Sequence, residues 1–178
     1  MDGKRNGHGK EYKHILYSNY NHSSNSNSSE IRKITIFSGE YLNGERKKGK
    51  EYNHDEKLIY EGEYSNGKKN GKGKEYNDEK LIFEGEYLDG KRWNGKGKEY
   101  NGDKLLYEGE YFNGKRNGKG KEYELGELIF EGEYSYGKRN GKGKEYEGGE
   151  LIFEGEYKNG LRKGQKNEFK SNEFWKII

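Results

Sequence analysis

Paired carboxylates, the equipment of acid–base catalysis, recur along this chain as Glu61/Glu63, Glu84/Glu86, Glu108/Glu110, Glu131/Glu133 and Glu154/Glu156, with Ser38/Glu40 as a sixth copy that lacks its first acid. Catalysis needs one such pair beside a substrate. A pair copied six times along a strand reads instead as solvent-facing charge opposite lysines, each cross-strand pair contributing about 0.2–1 kcal/mol. The four histidines, His8, His14, His22 and His54, show no i,i+4 pairing with a second His or a Glu, so no metalloprotease pattern is present. With no Cys there is no thiolate chemistry, disulfide framework or zinc–thiolate site. The Gly-rich runs fail as phosphate loops: from Gly114 to Gly120-Lys121 the spacing is wrong and no Ser or Thr follows. The sequence therefore assigns no catalytic residue, no metal ligand and no cofactor.

The remaining charge pattern is basic. Lys68, Lys69, Lys72 and Lys74 recur as Lys91, Arg92, Lys96 and Lys98, as Lys115, Arg116, Lys119 and Lys121, and as Lys138, Arg139, Lys142 and Lys144. Stacked in register they form a basic edge. Such an edge blocks unwanted strand pairing, or attracts anionic headgroups at about 1 kcal/mol per cation.

The elements that carry these residues repeat. An aromatic at Phe37, Tyr60, Phe83, Tyr107, Phe130 and Phe153 recurs at intervals of 23, 23, 24, 23 and 23 residues, which marks a repeat architecture. In each unit alternate residues point to one face of a strand. This gives a structural core of Tyr60, Gly62, Tyr64, Phe83, Gly85, Tyr87, Tyr107, Gly109, Tyr111, Phe130, Gly132, Tyr134, Phe153, Gly155 and Tyr157. Asn-Gly and Asp-Gly pairs follow, at Asn43-Gly44, Asn66-Gly67, Asp89-Gly90, Asn113-Gly114 and Asn159-Gly160, with Tyr136-Gly137 the exception and Asn94-Gly95 a further turn signal. A second, Gly-rich strand closes each hairpin. Glycine weakens a strand unless another group comes close, and the group expected is an aromatic ring lying over bare backbone. The register of this strand stays open, because a slip of one residue would exchange the face of the glycines with that of Tyr76, Tyr100, Tyr123 and Tyr146.

The segment Tyr60–Tyr76, YEGEYSNGKKNGKGKEY, resembles the MORN repeat (membrane occupation and recognition nexus). Tyr stands where the family pattern usually has Trp, at Tyr41, Tyr64, Tyr87, Tyr111, Tyr134 and Tyr157. The resemblance implies an all-β fold: an elongated, twisted, single-layer array of consecutive antiparallel β-hairpins. It also implies a scaffold, a membrane-contact module or an appendage of an enzyme. The organisation expected is a partial repeat over 1–17, a flexible Asn/Ser-rich loop over 18–30, β-hairpin repeats over 31–169 and a C-terminal cap or tail over 170–178. Asn21-His22-Ser23 and Asn27-Ser28-Ser29 match glycosylation sequons. Trp93, inserted in GKRWNG, accounts for the single 24-residue interval. It reads either as a locally packed bulge or as a docking anchor, and Phe174 and Trp175 join it as candidate docking aromatics.

Composition bounds the rest. Hydrophobic residues make up only 27 % of 178, yet 17 Tyr and a net charge of +3 are unlike a solvated tail. No apolar run approaches a membrane span, and the N-terminus has no signal-peptide core, so a cytoplasmic location is expected, peripheral to membrane or cytoskeleton. The function expected is a non-enzymatic scaffold or protein-interaction module that binds by avidity. Two alternatives stay open: a module binding acidic phospholipids or phosphoinositides through the basic edge, and a regulatory fragment of a larger enzyme. Protein partners come first and acidic membrane lipids second. Nucleic acid is disfavoured because the aromatics are used in the core, and homo-oligomers are left open.

Overall fold

The computed structural model describes residues 4–21 and 26–164. Thirteen strands follow one another: β1 (Gly7–Asn21), β2 (Ser26–Leu42), β3 (Glu45–Tyr52), β4 (Leu58–Ser65), β5 (Lys68–Asn77), β6 (Lys80–Leu88), β7 (Lys91–Asn101), β8 (Lys104–Phe112), β9 (Lys115–Glu124), β10 (Glu127–Ser135), β11 (Lys138–Glu147), β12 (Glu150–Lys158) and β13 (Leu161–Arg162). Their order in one open sheet is the chain order, each antiparallel to the last, with no helix among the described residues. The all-β array of consecutive hairpins is as the sequence predicts. Two units divide the chain, Met1–Glu99 with Glu110–Gly114, and Tyr100–Gly109 with Lys115–Ile178.

The hairpins form because their two-residue turns have positive φ at both positions, the type I′ geometry that matches strand twist. Asn66 and Gly67 have φ of 51° and 71°, and Asp89 and Gly90 have 50° and 84°. Tyr136 adopts φ 51° with its ring 70 % exposed. A bulky side chain is strained there, whereas Asn tolerates the left-handed region. Tyr136→Asn is expected to raise stability by about 0.5–1 kcal/mol in urea unfolding.

In the first unit the core is a zigzag of aromatic rings on one face. Edge-to-face contacts run Phe37–Tyr64 at 5.5 Å, Tyr60–Tyr87 at 5.1 Å and Phe83–Tyr111 at 5.9 Å between centroids, and each ring also meets the Tyr four residues on. The second unit repeats the motif with Tyr107–Tyr134 at 5.3 Å and Phe130–Tyr157 at 5.1 Å. Edge-to-face pairs of this kind add about 0.5–1.5 kcal/mol beyond their burial. Tyr60, Tyr107, Phe37 and Phe130 are wholly buried, while Phe153 and Tyr111 are half-buried. Ile34 also belongs to the core and lies outside the aromatic period.

The register of the Gly-rich strand is resolved. Gly62 pairs with Gly73, and Gly132 with Gly143. A Cβ built on Gly73 would stand 2.3 Å from the Tyr60 hydroxyl and 2.7 Å from its ring carbons. The glycines therefore face the rings, and Tyr76, Tyr123 and Tyr146 take the opposite face.

Three expectations are corrected. Residues 18–21 and 26–30 are strand rather than loop, because β1 and β2 pair Ser18 with Ser29, Asn19 with Ser28, Tyr20 with Asn27 and Asn21 with Ser26. A ladder made of main-chain bonds tolerates Ser and Asn, so polar composition hid the pairing. Only positions 22–25 of that segment fall outside the described residues. Asn94-Gly95 is no turn either, since both lie within β7 opposite Glu86 and Gly85. Trp93 likewise sits in β7 rather than in the turn, as the extra residue of a β-bulge.

Candidate functional site

On the aromatic face, Gly71, Gly73 and Glu75 share a parity, so the Glu that ends each Gly-rich run points at the rings rather than at solvent. It meets a cation from the start of the second strand. Arg46 lies over the Phe37 ring at 4.3 Å and reaches Glu11 at 2.6 Å and Glu51 at 2.7 Å. Lys69 covers Tyr60 at 4.3 Å and pairs with Glu51 at 3.3 Å. Arg92 covers Phe83 at 5.0 Å and pairs with Glu75 at 2.8 Å. In the second unit Arg116, Glu122, Arg139, Glu145 and Arg162 form one continuous ladder, with Arg139 to Glu145 at 2.9 Å. Arg46 and Arg139 each bridge the Glu of the preceding hairpin and that of their own, Arg92 and Arg162 reach the preceding Glu, and all four stack on the ring below.

These side chains keep only about a fifth of their surface in water (22 % for Arg139, 19 % for Glu122 and 17 % for Glu145), so screening is weaker than for a surface pair. Arg139→Met is expected to cost about 2 kcal/mol, read as a lower urea midpoint, because it takes one of two guanidinium partners from each of two largely buried carboxylates.

The same contacts shift protonation. The hydrogen bond from Arg46 holds the Glu11 carboxyl below its usual range, and at Glu145 the bond and charge of Arg162 overcome burial. Burial, then the Glu11 carboxylate that accepts its hydroxyl at 2.8 Å, pushes Tyr41 up to about 12, and burial with Glu145 does the same for Tyr157. For the carboxyls, whose folded values are depressed, stability is present above the unfolded value and falls as pH drops through the folded one. For the tyrosines, whose folded values are raised, stability is present below pH 10 and is lost as pH rises toward about 12. Thermal midpoints against pH are expected to fall below about pH 4.5 and again between about 10 and 12.

The opposite face carries the second half of the cations. Lys74 stands between Glu61 and Glu84, and Lys144 between Glu131 and Glu154. Lys74 pairs with Glu84 at 3.1 Å and Lys50 with Glu61 at 3.8 Å. The repeated carboxylates thus face lysines across the strands, as the sequence suggests. Between them Tyr123 donates to Glu108 and Tyr146 to Glu131, both at 2.7 Å.

The sixteen cations of the expected basic edge do not form one edge. Lys69, Arg92, Arg116 and Arg139 cap the aromatic face. Lys72, Lys74, Lys96, Lys98, Lys119, Lys121, Lys142 and Lys144 alternate with the glycines and aromatic-facing acids onto the other face. Lys68, Lys91, Lys115 and Lys138 stand exposed beside the turns. The signal for this division was the parity of the cations relative to the glycines.

The bulges also differ between hairpins. In the β4–β5 and β10–β11 pairs a three-residue bulge contains Gly71 or Gly141 at φ 82° or 97°, and Glu63 or Glu133 accepts the N–H of Lys72 at 3.0 Å or of Lys142 at 3.2 Å. In β2–β3 and β6–β7 a single extra residue, Lys47 or Trp93, takes its place. A family model for the MORN repeat matches residues 1–13, 60–78, 107–123, 130–149 and 153–165. This chain is a MORN-repeat protein. No curated protein matches it.

The MORN matches pass over the two hairpins with single-residue bulges, those opened by Phe37 and Phe83. Trp93 is half-buried, and Phe174 and Trp175 lie outside the described residues, with the expected tail over 170–178. MORN repeats serve generally as binding or scaffold modules and are generally non-catalytic. Among the described residues no His, Cys, Asp and Glu cluster could hold a metal ion, and no helix is long and apolar enough to cross a membrane.

Proposed function

We propose that this MORN array is a non-enzymatic scaffold, a protein-interaction module in the cytoplasm that repeats one weak contact and binds by avidity. The observation that supports this reading is the interleaving of charge on the Lys/Glu/Tyr face, where Lys72, Lys74, Lys142 and Lys144 stand opposite glutamates and tyrosines lie between them. Such a surface has little net charge to offer a lipid headgroup layer. It has the fixed charge register and the tyrosines that protein interfaces use for specificity. The lipid reading needs cations facing one way without acids among them, and a quarter of the candidate set is engaged over rings.

The test is affinity capture with the full chain at physiological salt, beside sedimentation with vesicles rich in phosphatidylserine. A stoichiometric protein partner, held less tightly as hairpins are removed, is the expected result. Failure to recover any stable partner would sink the scaffold reading. Sedimentation with vesicles that persists at physiological salt would favour the lipid-binding one.

A further inference from the structure

Beside the bulge of β5 the first unit has an open depression of about 470 Å³, lined by Glu63, Asn70, Gly71, Lys72, Glu86, Tyr87, Leu88 and Trp93. Gly71, held at φ 82° by the bulge, leaves the room that the Glu63 carboxylate takes, since a Cβ there would stand 2.1 Å from Glu63 Oε2. One wall is the Trp93 indole. The bulge in β7 makes that wall: it places Trp93 between Arg92 and Asn94, and the N–H of Gly114 donates to the Trp93 carbonyl at 2.8 Å. A Cβ on Gly114 would stand 3.8 Å from the indole, so the ring is backed by that turn. The other wall is acidic. Glu63 is fixed by the N–H of Lys72 at 3.0 Å, and Glu86 accepts from the Asn94 amide at 2.8 Å. Lys72, the one cation of the lining, stands opposite Glu86 across the strands, and Lys48 stands opposite Glu63 from outside the lining, so the lining itself holds two carboxylates to one ammonium.

We propose that this depression seats an arginine side chain presented by a protein partner, an assignment that rests on the scaffold reading above. The indole face attracts a cation through its quadrupole, and a planar guanidinium also stacks on it. The two carboxylates accept its N–H groups in charge-assisted bonds. An acidic side chain would meet the excess carboxylate, and a neutral one would gain only the ring. The corresponding bulge of the second unit, with Glu133, Asn140, Gly141 and Lys142, has no Trp in its sequence and serves as the internal contrast.

The experiment uses the full chain and a fluorescein-labelled peptide, acetyl-Gly-Ser-Arg-Gly-Ser amide, with a second peptide carrying Gln for Arg. Fluorescence anisotropy is expected to show saturable binding of the Arg peptide about tenfold tighter than the Gln peptide. Trp93→Leu and, separately, Glu86→Gln are each expected to reduce that preference to about twofold or less while the thermal midpoint stays unchanged. Glu86 is exposed, so its variant keeps the test valid if the Trp93 change disturbs the bulge. Equal binding of the two peptides, or a preference that survives Glu86→Gln, overturns the proposal. A captured partner retained by both variants overturns it too and leaves the scaffold reading standing. Absence of any captured partner bears on the scaffold reading alone, since the peptide measurement still decides the pocket.

Discussion

Phe130→Ala is expected to destabilise the second unit by about 3–5 kcal/mol, the range for deleting a large buried ring. Phe130 is wholly buried, meets Tyr134 at 5.6 Å and Tyr157 at 5.1 Å edge-to-face, and carries Arg139 over its ring at 4.1 Å. The substitution removes two ring contacts and the seat of a guanidinium together. Because stability in a repeat array sums over neighbouring units, the loss is expected to fall on the hairpins around Phe130. Urea unfolding followed by tyrosine fluorescence is then expected to separate into two transitions. A single transition shifted by less than about 1 kcal/mol would show that the rings are not the principal contact between hairpins.

Gly73→Ala is expected to cost about 2–3 kcal/mol, as overpacking of a close-packed site does. The added methyl would overlap Tyr60, and Tyr60 has no room to retreat, being wholly buried and held between Tyr64, Tyr87 and the Lys69 ammonium. Gly62→Ala would meet the Gly73 backbone itself at 2.7 Å, which cannot rotate away. The contrast is Gly67→Asn in the β4–β5 turn, where a Cβ meets nothing within 4 Å and Asn accepts φ 71°. That change is expected to stay within about 1 kcal/mol when both variants are compared by urea unfolding. If the two glycines respond alike, close approach of ring to backbone is not what holds glycine at position 73.

Much of this architecture was legible. The aromatic interval and the Asn-Gly and Asp-Gly pairs placed the hairpins correctly, because positive φ at two successive residues and alternation along a strand each leave a mark on residue type. The register of the Gly-rich strand left none: a strand whose inward residues have no side chain does not announce its face. Glu75 and its counterparts were hidden for the same reason. Their role as partners of Arg46, Lys69, Arg92 and Arg139 follows only once the glycines are known to face the rings. Trp93 was recognised as an insertion, yet GKRWNG looks like turn chemistry. The turn had already closed at Asp89-Gly90, which left the extra residue to the strand. The candidate basic edge failed on the same parity, since adjacent cations on a strand point opposite ways.

The bridging arginines bear on how such a chain can change length over generations. Arg139 holds the Glu of the hairpin before it and the Glu of its own, and Arg162 holds Glu145 one period later. The ladder from Arg116 to Arg162 therefore crosses the seam between one 23-residue block and the next. Unequal recombination that duplicates or removes a whole block joins two matching halves, and no second substitution is needed to repair the seam. A block one residue longer needs a bulge to restore the parity of the next strand, as Trp93 supplies in the single 24-residue interval. The near-constant interval between aromatics is what selection against such mismatched joints would leave behind.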